Sequence, residues 1–242
     1  MAEAGARYAF ARSGHAEAGV GYLDDLKRQA EAARAQQTSN TGSIERNTML
    51  ADGACTAALR YFGTLAQQLN VLQPVSKATW RLDKRHPLSG LKLSDFRADS
   101  RMKKLRGADV FDHVVLRCTA RSGQRLSLAR DFPPDAEKLE AKLRQAGIAF
   151  ECEQVRNPDT GRFVETRYDF TADIGISARL TPDHDRGWVN FRVSNLDGFE
   201  TVTLDLPAIE IGGMRLDELA RWFTGEGNSF LDSVHNLRRT EV

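Results

Sequence analysis

Between Lys77 and Leu206 the chain alternates polar and apolar residues in short runs separated by turn residues and interrupted by one helical segment, and this alternation restricts the fold most. Val164, Tyr168 and Phe170 fall on one side of an extended segment and Glu165, Arg167 and Asp169 on the other. Ile174, Ile176, Ala178 and Leu180 form a second apolar row, followed by Val189, Phe191 and Val193 and then by Val202, Leu204 and Leu206. Side chains of a strand point alternately to opposite faces, so each run has one face for a core and one for water. Strands of this kind belong to antiparallel sheets covered on one side only. The pattern predicts strands near 77–83, 91–102, 111–121, 124–131, 149–156, 162–171, 174–181, 187–195 and 199–206. Ser122-Gly123, Asn157-Pro158-Asp159-Thr160-Gly161 and Pro182-Asp183-His184-Asp185-Arg186-Gly187 supply the turn chemistry between them.

Helical signals lie at the two ends and at one insertion. Residues 22–72 are rich in Ala, Leu, Gln, Glu and Arg, good helix formers. Thr38–Ser43 (TSNTGS) suggests a break, and hence a helical hairpin. Yet Leu23, Leu26, Ala30, Ala33 and Gln37 keep a 3–4 spacing that Ile44, Ala51, Ala58, Leu65 and Leu72 continue in the same phase. A loop has no reason to preserve that phase, so one long helix is the alternative. The second half has a broad apolar face (Cys55, Ala58, Leu59, Phe62, Leu65, Ala66, Leu69), as for a helix docked on a core. An inserted helix at 134–146 opens at Pro133-Pro134 and closes at Gly147, and a C-terminal helix at 214–224 presents Leu216, Leu219, Ala220 and Phe223.

The expected fold is therefore α+β: a curved, mainly antiparallel sheet of about 7–9 strands, covered on one face by helices, with a long N-terminal helical arm. The division is a flexible tail at 1–16, the arm at 17–73, the α+β domain at 74–234 and a polar tail at 235–242. The chain has 242 residues, 41% of them hydrophobic and 28% charged, a composition that fits a globular protein. No apolar run approaches the length of a membrane span, and the N-terminus lacks the apolar core of a signal peptide. The three cysteines, Cys55, Cys118 and Cys152, are odd in number and have no metal-like spacing. Buried thiols and a cytoplasmic location are expected.

Charge is segregated. Ten Lys/Arg lie between Lys77 and Arg106, against Asp83, Asp95 and Asp99, although the whole chain carries a formal charge of only +1. Strand period places Asp95, Arg97, Asp99 and Arg101 on one face as an alternating-sign row, which is locally neutral. The uncompensated charge then falls into two turn clusters, Lys84-Arg85-His86 and Lys103, Lys104 and Arg106. These are the candidate anion-binding residues. About 40 Å of strand separates them, too far for one compact phosphate site.

No sequence feature commits to a chemistry, and no catalytic residue, cofactor or metal site is assigned. Walker A, GxGxxG, GxSxG, HExxH, paired CxxC and EF-hand patterns are absent. Asp183-His184-Asp185 places three metal-capable side chains on one turn, where adjacent side chains diverge. His113 and Cys118 fall on opposite faces of one strand and cannot form a dyad. Gly225-Glu226-Gly227-Asn228 follows a helix and lacks the lysine of a phosphate loop, so it reads as a helix cap. Gly212-Gly213 precedes a helix whose N-terminus is capable of holding an anion, and is just as well explained as a turn.

Three functional classes follow. The first is a non-enzymatic interaction or oligomerising protein, whose candidate partner-binding residues are Leu23, Leu26, Ala30 and Ala33; the partner is a protein or a second copy. The second is a nucleic-acid or anionic-surface binder through 84–86 and 103–106, which the near-zero net charge disfavours. The third is a small-ligand binder with a pocket under the sheet near Phe150, Tyr168, Phe170, Phe191 and Trp188. The first is preferred, because it requires no motif and accounts for the helical arm.

Overall fold

A computed structural model describes residues 22–241, apart from the side chains of 38 and 39. The expectations for 1–16 and 17–21 fall outside the described residues. The chain divides into two units, Met1–Gly42 and Ser43–Val242. One helix, α1 (Tyr22–Leu72), supplies all the described residues of the first and opens the second.

Eleven strands follow among the described residues: β1 (Thr79–Arg81), β2 (Pro87–Ser89), β3 (Lys92–Leu105), β4 (Ala108–Arg121), β5 (Arg125–Arg130), β6 (Phe150–Arg156), β7 (Phe163–Thr171), β8 (Ile174–Asp183), β9 (Trp188–Ser194), β10 (Glu200–Pro207) and β11 (His235–Glu241). Two further helices are α2 (Pro133–Gln145) and α3 (Gly213–Thr224). The fold is α+β, as the alternation implied. A six-stranded sheet has the order β11-β10-β9-β8-β4-β3, and a three-stranded sheet the order β5-β7-β6; β1 and β2 form a separate ribbon. All named pairings are antiparallel.

The TSNTGS segment does not break the helix. Thr41 Oγ1 donates to the Gln37 carbonyl (2.9 Å) and Gln36 Nε2 to Asn40 Oδ1 (3.1 Å), so polar side chains bond within the helix instead of opening a loop. From Ala51 onward the helix buries Ala51, Ala54, Cys55, Ala58, Phe62, Ala66 and Leu69. They share one core with the inner rows of β4, β8, β9 and β10 and with Leu216, Leu219, Trp222 and Phe223 of α3. α1 and α3 are also joined by Tyr61, whose hydroxyl donates to Asp217 (2.5 Å). Burial of the Tyr61 ring, followed by that carboxylate, raises the phenol well above its usual range.

Two polar side chains repair interruptions in the sheet. Asp95 has φ 56° and the β3–β4 register shifts between Ser94 and Arg97, a bulge that removes Phe96 from the ladder. Asn70 of α1 satisfies both backbone groups of Phe96, accepting from its N–H (2.7 Å) and donating to its carbonyl (2.9 Å). Asn195, 1% exposed with φ 60°, bonds through its side-chain nitrogen to the carbonyls of Gly175 (2.8 Å) and Gln145 (3.1 Å). Its own carbonyl accepts the indole N–H of buried Trp80 (2.9 Å).

Three expectations are corrected. The segment 77–83 is not one strand: β1 stops at Arg81, because Asp83 Oδ1 accepts the N–H groups of Arg85 (2.7 Å) and His86 (2.9 Å) and turns the chain. The polar tail at 235–242 contains β11, paired with β10 through Thr240, Arg239 and Arg238. Cys152 is exposed, while Cys55 and Cys118 are buried. Burial, then Asp52, pushes the Cys55 thiol up to about 12, which makes it inert; burial also raises Cys118.

Candidate functional site

Residues 22–37 are helical and exposed throughout. Tyr22 is 77% exposed, Leu23 71% and Leu26 40%, values unlike those of leucines with a core to enter. Leu23, Leu26, Ala30 and Ala33 lie at positions i, i+3, i+7 and i+10, one stripe of a helix. Charge on this segment is balanced, with Asp24, Asp25 and Glu31 against Lys27, Arg28 and Arg34. Lys27–Asp24 (3.6 Å) and Arg28–Asp25 (2.5 Å) pair along it. Exposed pairs of this kind are worth only tenths of a kcal/mol, about 0.3–0.5 each, and do not stabilise a helix by themselves.

The two basic clusters have different surroundings. Lys103, Lys104 and Arg106 occupy the β3–β4 hairpin, and carboxylates meet all three: Asp112 (3.8 Å), Asp109 (2.8 Å) and Asp185, respectively. Lys84 and Arg85 instead line a groove of about 1010 Å³ between the β1–β2 turn, the end of β5 and α2. Arg81, Arg130, Lys138 and Lys142 join them there, against Asp83, Asp131 and Asp135. Sequence reasoning missed Arg130, Lys138 and Lys142, which come from distant segments and belong to no charge run. Asp83 organises this wall: besides the two N–H groups, it pairs with His86 Nδ1 (2.8 Å) and with Arg130. Burial opposes its ionisation, but the hydrogen bonds from Arg85 and His86 prevail and hold the carboxyl below the usual carboxylate range. Lys142 turns inward, its Nζ donating to the carbonyls of Arg81 (2.9 Å) and Leu82 (3.2 Å). Burial lowers its pKa despite the nearby carboxylate of Asp83. The structure does not bring the clusters together, since most of β3 lies between them.

The remaining candidates have structural partners. In Asp183-His184-Asp185, Asp183 accepts the N–H groups of Asp185 and Arg186, Asp185 pairs with Arg106, and buried His184 bonds the Phe111 carbonyl through Nε2 (2.9 Å). No group of three or more metal-capable side chains is gathered among the described residues. His113 bonds Asp112 through Nδ1 (2.9 Å), away from buried Cys118. Gly225 caps α3 with φ 71°. Tyr168, Phe170 and Phe191 are buried in the core, where Phe191 meets Phe230 edge-on at 5.3 Å. Among the described residues no helix is long and apolar enough to cross a membrane.

Comparison with known proteins matched no family model, no curated protein and no solved structure.

Proposed function

We propose that the chain is a non-enzymatic interaction protein that self-associates through the helix at residues 22–37. One observation carries the reading: this helical segment exposes Tyr22, Leu23 and Leu26. A mainly polar helix is marginal in water unless one face is packed. A second copy is the favoured occupant for two reasons. The segment's three acids and three bases give it no net charge, so identical copies do not repel. Ala30 and Ala33 continue the leucine stripe with small side chains, which allow a second helix to approach closely. The seam buries little area per turn, so the association is weak to moderate and depends on concentration.

Light scattering after gel filtration tests this on the full chain across a range of concentrations. The expected mass is that of a dimer or higher oligomer, falling to the monomer in the Leu23→Glu, Leu26→Glu variant and in a chain beginning at Ser43. A monomer in all three at high concentration would sink the reading.

A second reading, an anionic partner, is favoured at one place only. The groove beside Lys84 and Arg85 collects six Lys/Arg against three Asp, whereas Lys103, Lys104 and Arg106 are each met by a carboxylate. It predicts salt-sensitive binding that is lost on reversing Lys84 and Arg85 and survives reversal of Lys103 and Lys104.

A further inference from the structure

The open face of the six-stranded sheet has a charge arrangement that no single strand reveals. In the register of β4, β8 and β9, Arg117 stands opposite Ser177, which stands opposite Ser194; one step along, Val115 stands opposite Arg179, which stands opposite Arg192. Arg179 and Arg192 are thus direct cross-strand neighbours, and Arg117 is diagonal to Arg179. Arg97 of β3 is in turn opposite Arg117. Directly opposed like charges destabilise a sheet. Here they are poorly offset. Asp99 reaches Arg117 only at 3.9 Å, and no carboxylate among the described residues pairs with Arg97, Arg179 or Arg192.

Arg179 is nevertheless held in place. Its guanidinium donates to His113 Nε2 (2.9 Å), and His113 Nδ1 bonds Asp112 (2.9 Å). A ring that accepts from arginine is neutral, so it orients Arg179 without cancelling its charge. The arginines face a groove of about 420 Å³, walled at one end by Gln145 and Asn195. That wall is rigid: Gly175 N–H donates to the Ala146 carbonyl (2.8 Å), Asn195 bonds the carbonyls of Gln145 and Gly175, and Gln145 Nε2 donates to Asn195 Oδ1 (3.1 Å). The last carbonyls of α2 are therefore occupied and present no free acceptors to an incoming anion.

We infer that this groove binds a small molecule bearing a phosphoryl or diphosphoryl group, gripped by Arg117, Arg179 and Arg192 with the Ser177 and Ser194 hydroxyls beside them. Guanidinium forks match phosphate oxygens two at a time. Three guanidiniums and two hydroxyls offer more donors, and more charge, than one carboxylate can satisfy. A small ligand fits better than a polymer, because the groove is short and no aromatic side chain lines it for base stacking. Trp188, farther along β9, already has the Arg186 guanidinium 5.0 Å from its ring centre and the His235 ring against its edge.

Calorimetric titration of the full chain with inorganic pyrophosphate at low salt tests the site, alongside Arg192→Gln, Arg179→Gln and the Lys84→Gln, Arg85→Gln pair. Affinity is expected to fall at least about tenfold in either single variant, as for loss of a charged hydrogen bond, and to persist in the double variant of the other groove. Arg192 is exposed and opposes another arginine, so Arg192→Gln without ligand is expected to melt about 2 °C higher than the unsubstituted chain. Absence of pyrophosphate binding, unchanged affinity in Arg192→Gln, loss of affinity in the Lys84, Arg85 pair, or a lower melting point of ligand-free Arg192→Gln would each overturn the assignment. So would tighter binding of an oligothymidylate than of pyrophosphate, which would mark a polymer surface instead.

Discussion

Asn195 has a left-handed backbone (φ 60°) and a side chain that ties β8 to the end of α2. Asn tolerates this conformation better than most residues, and its amide satisfies two carbonyls in a place closed to water. Replacement by Ala removes these two bonds and the one accepted from Gln145 Nε2, and leaves a β-carbon in an unfavourable region, for an expected loss of about 2–4 kcal/mol in urea unfolding. Replacement by Gly relieves the backbone but not the carbonyls, so Asn195→Gly should be the milder of the two. If the two variants are equally unstable, backbone strain has no part in the residue's role. Sequence pattern does not single out Asn195: a lone Asn before a turn (Asn195-Leu196-Asp197-Gly198) reads as ordinary turn chemistry, and its partners lie 20 and 50 residues away. The expectation of a buried Cys152 fails for a related reason: β6 is almost wholly exposed, and only pairing and packing decide which strands are covered.

At the level of elements, the long strands were legible and the edges were not. β7 to β10 alternate because one face of each meets helices; β11 (HNLRRTE) is exposed at every position and carries no such signal. The continuity of α1 was legible only as phase, since Thr41 and Gln36 bond within a helix by contacts that also occur in turns. The bulge in β3 was invisible, as it depends on register. It makes a prediction of its own: Asn70→Ala should cost about 1–3 kcal/mol by stranding the backbone of Phe96, whereas an Ala at exposed Gln67 of the same helix should change stability by less than about 0.5 kcal/mol. Equal effects would show that the bulge does not depend on Asn70. The arginine constellation on the open face lies in the same blind spot. Arg97, Arg117, Arg179 and Arg192 are isolated charges in four strands, and only the pairing of those strands turns them into neighbours.

For the whole molecule, the acid limb of stability follows from the carboxylates. Asp83 is held below its ordinary range by the hydrogen bonds of the β1–β2 turn, and Asp112 by the His113 hydrogen bond first and then by the charges of Lys103 and Arg101. A carboxyl depressed in the folded state binds protons less readily than in the unfolded chain. Its contribution is therefore complete above the unfolded value, about pH 4, and is lost as pH falls through the folded value. The urea midpoint should be flat near neutrality and decline below about pH 4, and Asp83→Asn should start lower and decline less steeply. An unchanged slope in that variant would remove Asp83 from the account.

The order of strands in the six-stranded sheet also has a kinetic consequence. β3 and β4 form a hairpin, β8 to β10 form a meander, and the two halves meet only along β4 and β8, from Val114 opposite Leu180 to Ala120 opposite Ile174. The three-stranded sheet and α2 lie in the chain between those strands, so closing this seam requires a long loop; β10 and β11 close over α3, and the remaining pairings of this sheet join near neighbours. The halves are expected to form early and the seam to set the pace. Folding and unfolding rates of Ile176→Val would then show most of the lost stability as slower refolding, and a loss confined to faster unfolding would place the seam after the barrier.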